Sequence, residues 1–389
     1  MADAMGNSIL FILIPIYVAK LPHEYFSFAV PVMVGILISA FGLFTSIFQP
    51  LMGALSDWLG KRKALIQAGL ALIGLSTLAF IGAQNYMHLL LLRLLQGLGV
   101  ALTIPASLSL MTAITEKKTR GGSMGVFSTF RMVGFAIGPV VGGYLQVKHG
   151  FDAAFYVGAG FIALAMLFVH LWVNEVPVLN SKEIRERFKW LDLDLINPGI
   201  LSAATATFAM AMAFSMVTTL ENEINAKLNI TAFGFSVAFS MLMVGRLIFQ
   251  VPLGKYSDYI GRKPLILAGL VVMALSTALL GIAQNMTHLV ILRLAQGVAA
   301  AGIASPAFAL TADLSTEGGE GRQMSLITMG FTLGIAVGPL LAGILAVVSY
   351  ELPFFAIGLL CLLDVPLVLR YLPETVRSSK VLFQPQETP

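Results

Sequence analysis

Residues 83–97 read AQNYMHLLLLRLLQG, and residues 283–297 read AQNMTHLVILRLAQG. The second is a near copy of the first at an offset of 200. The likeness runs outward from there. Gly53-Ala-Leu-Ser-Asp57-Trp-Leu-Gly60-Lys-Arg returns as Gly254-Lys-Tyr-Ser-Asp258-Tyr-Ile-Gly261-Arg-Lys, and Gly134-Phe-Ala-Ile-Gly138-Pro139 returns as Gly334-Ile-Ala-Val-Gly338-Pro339. Half of the chain is therefore a duplicate of the other half.

Both halves are very apolar. Hydrophobic residues make up 57% of the chain and charged residues 11%, against about 45–50% and about 25% in soluble domains. Such a chain needs lipid as its solvent. Apolar runs fall near 5–19, 31–53, 64–83, 88–113, 123–147 and 151–173, and again near 197–220, 232–254, 264–283, 288–312, 324–347 and 352–371. Most are long enough to cross about 30 Å of hydrocarbon at about 1.5 Å per residue. They are continuous rather than alternating, so they read as helices and not barrel strands. The expected fold is an all-α membrane protein of twelve transmembrane helices in two parallel six-helix bundles: residues 1–175, a linker at 176–196, residues 197–372, and a tail at 373–389. Parallel halves of this kind are the build of a solute transporter with its site between them.

The first run is short, and its partner begins at a position that maps before residue 1, so the first helix is expected to lack its opening turns. One set of loops holds 17 lysines and arginines, while the opposite loops hold only Lys20, Lys148 and Lys227. The bias places the first set and both termini in the cytoplasm. The single cysteine, Cys361, rules out an internal disulfide, and the five scattered histidines offer no metal-binding spacing. No metal, cofactor or nucleic acid is expected. Gly121-Gly-Ser123-Met-Gly125 has the spacing of a nucleophile elbow but follows a membrane helix and a basic loop, so it carries no enzyme activity.

These residues resemble the major facilitator superfamily over nearly the whole chain. Gly53, Leu55, Asp57, Gly60, Lys61 and Arg62 match its loop signature, with Trp58 where a basic residue is usual; Gly254, Asp258, Gly261, Arg262 and Lys263 form a weaker copy. Arg93, Gln96, Gly97 and Gly99 are similar to the motif of its fourth helix. Gly134, Gly138, Pro139, Gly142 and Gly143 resemble the motif of its drug:proton antiporter branch. The resemblance implies alternating access in a plasma (bacterial inner) membrane, with small-molecule substrate, protons and lipid as partners and a monomer as the working unit. It implies a cytoplasmic latch at Gly53, Asp57, Gly60, Lys61, Arg62, Asp258, Gly261 and Arg262, and a part for Arg93 in proton coupling.

Other readings come from the residues themselves. Asp57 is expected to accept from backbone N–H groups at a neighbouring helix start. Gly134, Gly138 and Gly142 line one helix face, as do Gly330, Gly334 and Gly338, and are expected to pack the halves together; Pro139 and Pro339 permit a bend. Asp3 is either a membrane-embedded proton carrier or a solvated N-terminal acid. An embedded acid favours cationic cargo, whereas Arg131 and Arg246 favour anions, and that conflict stays open. Asn7, Thr45, Gln49, Thr103 and Ser107 are candidate cavity residues. Asp364 is expected at the periphery. An exporter of organic solutes or drugs leads; a transporter of organic anions or lipid-like solutes is the alternative.

Overall fold

The computed structural model describes residues 1–21, 28–115, 120–175, 197–314 and 320–376. The linker at 176–196, the tail beyond 376, and Lys117 and Lys118 lie outside the described residues. The first half contains α1 (Ala2–Val18), α2 (Val30–Leu59), α3 (Arg62–Ala79) and α4 (Tyr86–Ile114). It ends in a helical run, Arg120–Trp172, that breaks at Gly150. Gly150 has φ 85°, a left-handed conformation that glycine adopts without a Cβ clash, so the run divides into α5 (120–149) and α6 (151–172). The second half contains α7 (Pro198–Thr219), α8 (Glu221–Leu228), α9 (Ala232–Ile260), α10 (Arg262–Leu280), α11 (Met286–Leu314), α12 (Glu320–Ala346) and α13 (Leu352–Tyr371). Among the described residues, ten stretches are long and apolar enough to cross a bilayer; one spans the Gly150 break and supplies two crossings, and the short α1 completes six per half. The eight-residue α8, with two acids in its first turn, is an addition the apolar pattern does not contain.

The glycine faces pack differently from the expectation. Ser8 on α1 donates to the Gly134 carbonyl at 3.3 Å, and Ser215 on α7 donates to the Gly334 carbonyl at 3.4 Å. Gly138 and Gly142 lie against Met5, Ser8 and Ile9, while Gly330 and Gly338 lie against Ala204, Met212 and Ser215. These faces therefore seal α5 to α1 and α12 to α7 inside each half, not one half to the other. The seam between halves uses the neighbouring face. A Cβ on Gly143 of α5 would lie 2.9 Å from the Ala232 carbonyl of α9, and one on Gly35 of α2 would lie 2.5 Å from the Pro339 carbonyl of α12. Period 3.6 reveals a small-residue stripe, but not which neighbour it faces.

The seam is closed at the end that the lysine and arginine bias assigns to the outside. Gly343 meets Pro31, Tyr144 stacks edge-on against Phe233, and Asn222 of α8 donates 2.8 Å to the Pro15 carbonyl of α1. Deeper, Ala136 packs with Leu242 and Met243. Beyond that, the continuing stripe on α12 is exposed at Thr328 and Met329, as is Thr129 on α5. The halves meet at one end and part toward the other.

The structure also fixes the register of α1. The equivalent contacts pair Ser8 with Ser215 and Met5 with Met212, an offset of seven beyond the 200 seen elsewhere. Asp3 is thus level with Met210, well inside α7, and not with the helix start.

The close packing is testable. Gly138→Val should cost about 1–3 kcal/mol, because its Cβ would collide with Ser8 and lie 2.6 Å from the Met5 carbonyl. Gly160→Val, with nothing within 4 Å, should change the thermal midpoint of purified protein little.

Candidate transport pathway and its buried charges

Asp3 and Arg131 are brought together. Arg131 Nη1 lies 2.9 Å from Asp3 Oδ2, and the guanidinium also sits 5.9 Å from the ring centroids of Phe127 and Phe135. The pair borders a cavity of about 590 Å³ lined by Met1, Met5, Leu70, Thr103, Ser107 and Phe161, among others. Asn7 lines a small pocket beside it and leaves its Oδ1 without a hydrogen-bond partner. The wall is mostly apolar, with a few hydroxyls and two ion pairs on Asp3, the second to the Met1 ammonium at 3.3 Å. The lining belongs wholly to first-half helices, so this space lies beside the parting of the halves rather than astride it. Arg131 stands one turn from Phe135, which packs where Ala136 meets Leu242 and Met243. Arg246, one turn beyond Met243 on α9, faces the same level; its Nε lies 3.3 Å from Gln250 and its guanidinium 5.8 Å from the Phe331 ring.

Thr45 takes no part in this wall. It donates to the Phe41 and Gly97 carbonyls at 2.8 and 3.2 Å, fastening α2 to α4. Thr103 donates to Gly99 at 2.8 Å while still lining the cavity. Gln49 is half-buried on α2.

Arg93 is 1% exposed and Arg293 0%. Each makes the same network in its own half. Arg93 Nη1 donates to Gln96 at 3.2 Å, and Gln96 donates to Thr77 at 3.0 Å. Arg293 donates to Gln296 at 2.7 Å, and Gln296 to Thr277 at 2.9 Å. Arg93 lies 4.9 Å from the Phe41 ring, and Arg293 lies 5.1 Å from that of Phe239. Both retain an Nε and an Nη2 with no partner. A cation in hydrocarbon costs at least about 2.5–3.5 kcal/mol, so these side chains are held there by aromatic faces and a single amide.

The two signature loops are built alike. Gly60 has φ 64° and Gly261 φ 105°, positive angles that let each chain reverse into the next helix. At each following helix start a glutamate from the end of the same half accepts from the backbone. Glu175, just after α6, accepts from the Lys63 N–H at 3.2 Å; Glu374, just after α13, accepts from the Arg262 and Lys263 N–H groups at 3.0 and 3.1 Å. Lys63 and Lys263 each reach back 2.8 Å to a carbonyl, of His170 and Leu369. Sequence reasoning missed the role of these two glutamates, although both follow the last helix of their half. The side chain of Asp57 lies outside the described residues. Its counterpart Asp258 pairs with Arg262 at 3.3 Å, and Arg262 also pairs with Asp313 at 2.9 Å, all inside the second half. Lys61 is exposed, and Arg62 is buried with an unpartnered Nε.

Two acids depart from expectation. Asp364 is 6% exposed and keeps an unpartnered oxygen, so it is interior rather than peripheral. Glu221, which directly follows the apolar run of α7, is 0% exposed. A hydropathy window ends the run there and reads the acid as loop.

The comparisons agree on the family. The Major Facilitator Superfamily profile matches residues 1–220 and 201–387, and the chain belongs to that family. It is 26% identical over 333 residues to the multidrug resistance protein MdtG of Salmonella choleraesuis, covering 84% of this chain and 82% of the relative. It is 26% identical over 340 residues to the multi-drug resistance efflux pump PmrA of Streptococcus pneumoniae, with the same coverage. An uncharacterized MFS-type transporter of Methanocaldococcus jannaschii is 26% identical over 326 residues, covering 80% and 82%. In fold, the chain is similar to a bacterial homologue of the human lysosomal transporter Spinster in an inward-facing, occupied conformation: TM-score 0.76, 15% identity, 95% and 93% coverage. The human organic anion transporter MFSD10 (TETRAN) gives TM-score 0.67 at 18% identity, with 94% and 96% coverage. The protein is a multi-pass membrane transporter of small molecules, resembles the drug-efflux branch, and is not an enzyme.

Replacing Gln96 by Leu should remove the amide that holds Arg93 and cost about 2 kcal/mol, the scale of a hydrogen bond to a charged group. A lowered thermal midpoint for Gln96→Leu, and a smaller loss for Gln96→Glu, would be the result.

Proposed function

We propose that this protein exports small organic solutes or drugs against the inward flow of protons, by rocking residues 1–175 against 197–372. The observation that carries the reading is the Asp3–Arg131 pair on the wall of the apolar cavity. An isolated acid would select cations, and an isolated arginine anions. Arg131 and the Met1 ammonium both lie against Asp3, so its charge is answered until a partner is taken. A proton on Asp3 breaks the pair and frees Arg131; loss of that proton restores it. Cargo and proton then compete for one ion pair, which is the linkage exchange requires. A proton crossing 100 mV yields about 2.3 kcal/mol, enough for a substantial solute gradient. The multidrug relatives support the cargo class. The closed outer seam fits an inward-facing state, in which Asp258, Arg262 and Asp313 of the second-half copy pair within their own half.

The second reading, transport of organic anions, draws on Arg246, which faces the parting of the halves beside Gln250 and Phe331.

Vesicles loaded with a fluorescent organic cation, and separately with an organic anion, distinguish them. Asp3→Asn should abolish export driven by an imposed pH gradient while leaving cargo exchange in place. If Asp3→Asn keeps gradient-driven export and Arg246→Ala abolishes anion movement, the anion reading replaces the first.

A further inference from the structure

Glu221 stands at the start of α8, two residues beyond the α7 span Pro198–Thr219. In the register that pairs Ser8 with Ser215, its counterpart in the first half is Ile14. The duplication therefore does not account for an acid here. Neither carboxylate oxygen has a hydrogen bond of good geometry, and the side chain is fully buried. The amide of Asn225, one turn on, is the polar group beside it, with its own Oδ1 unpartnered. Thr219 Oγ1, at 0% exposure, is unpartnered as well. An ionised carboxylate left in that position would lose its hydration and gain almost nothing in return.

Among the described residues, the surrounding charges do not neutralise it. Glu223 is the charged group acting on it, and it repels. Lys227 is committed elsewhere: its Nζ donates to the Gly281 carbonyl at 2.9 Å and to Glu351 at 3.0 Å, and it sits 4.0 Å above the Tyr350 ring. Glu351 is held below its ordinary range by that lysine, and Tyr350 is raised by burial. From α1, Tyr17 donates to the Phe80 carbonyl and Lys20 lies over Phe151, both turned to other partners. The first four turns of α9 carry no titratable side chain. Burial, opposed by Asn225 and reinforced by Glu223, pushes the Glu221 carboxyl well above the usual carboxylate range.

This acid is tied to the seam. Asn222, the next residue, makes the 2.8 Å hydrogen bond that joins α8 to Pro15 of α1 across the two halves. We propose that Glu221 is a proton-binding site of the outer gate: closing α8 onto α1 takes a proton from the outer solution onto its carboxylate, and opening returns it. The site is separate from Asp3 and rests on the alternating-access reading. The sign follows from linkage. A carboxyl whose pKa is higher in the closed state favours closure at low pH and loses that contribution as pH rises. Acid outside then drives the empty exporter back toward the inward-facing state.

Ser236 offers the readout. It is 0% exposed beneath Gly143 in the closed seam. In a Cys361→Ser, Ser236→Cys protein reconstituted in liposomes, a membrane-impermeant maleimide is added outside, and each rate is divided by that of a fully exposed cysteine at the same pH, which removes the thiolate's own pH dependence. The normalised labelling should be slow at about pH 5 and faster toward about pH 9. The expected gain is about tenfold for each pKa unit separating the two states. Glu221→Gln should hold the normalised labelling at its slow, acid-like value at every pH. Glu223→Gln should keep the dependence and shift its midpoint to lower pH. In the protein with Glu221 intact, a hydrophobic carbodiimide, which adds to protonated buried carboxyls, should modify Glu221 at neutral pH, so a poorly folded variant does not leave the question open. An unchanged pH profile in Glu221→Gln, or no adduct on Glu221 at any pH, overturns the site. Opening the seam sterically with Gly35→Val separates the two readings. If Gly35→Val raises labelling while pH does not, the gate stands and Glu221 falls. If neither moves it, the rocking reading fails and the site with it.

Discussion

The hydrocarbon of a bilayer accepts no hydrogen bond, so each polar group placed within it must be satisfied by the protein or tolerated at a cost of several kcal/mol. That constraint builds the scaffold. It requires continuous helices, and it turns most hydroxyls inward to carbonyls of their own or a facing helix, as with Thr45 on Phe41 and Gly97 and Ser8 on Met5 and Gly134. Among the described residues, several charged or amide groups escape full satisfaction. Arg93 and Arg293 retain free N–H groups behind aromatic rings, Asn7 retains an oxygen beside the Asp3–Arg131 pair, and Glu221 retains both oxygens behind the outer seam. A transporter needs such groups, because a site satisfied equally in every state cannot respond to a proton or a cargo.

Duplication explains the scaffold and its departures explain direction. The arginine–glutamine–threonine relay and the glutamate at the helix start after each signature loop appear in both halves, and they hold each bundle together internally. The cross-half contacts use the same symmetry, with α5 on α9 and α12 on α2. Two equivalent seams flank one pathway, which suits rigid halves that tilt. The symmetry fails at the charged groups of the pathway. Asp3 matches Met210, and Glu221 matches Ile14. One carboxyl thus lies at mid-span level in the first half, and the other just beyond the α7 span in the second.

The sequence revealed much of this because lipid burial leaves a coarse signal. Crossing number, the repeat and the loop signatures are visible in runs of residues. Azimuth is not. Gly134 and Gly143 differ by nine positions on one helix, yet one faces α1 and the other faces the opposing half. Register was also hidden: α1 slides by seven residues, two helical turns, so both faces look alike in periodicity and only contacts reveal the shift. The helix-start glutamates were obscured because Glu175 and Glu374 lie about 112 residues from the N–H groups they accept from. Local propensity carries no information over that distance.

A carboxyl at mid-span and another behind the outer seam would divide the work of energy conversion. Under the proposed exchange, a single site at Asp3 would couple cargo to proton yet leave the empty carrier free to return at any pH, and each return without a proton would uncouple export and let cargo leak back down its gradient. An acid that must be neutral before the outer seam closes makes that return sensitive to the outer pH. The bias arises from desolvation, not from a new contact: the closed seam removes water from Glu221 and puts no cation in its place. The outer acidity that drives export would also reset the exporter.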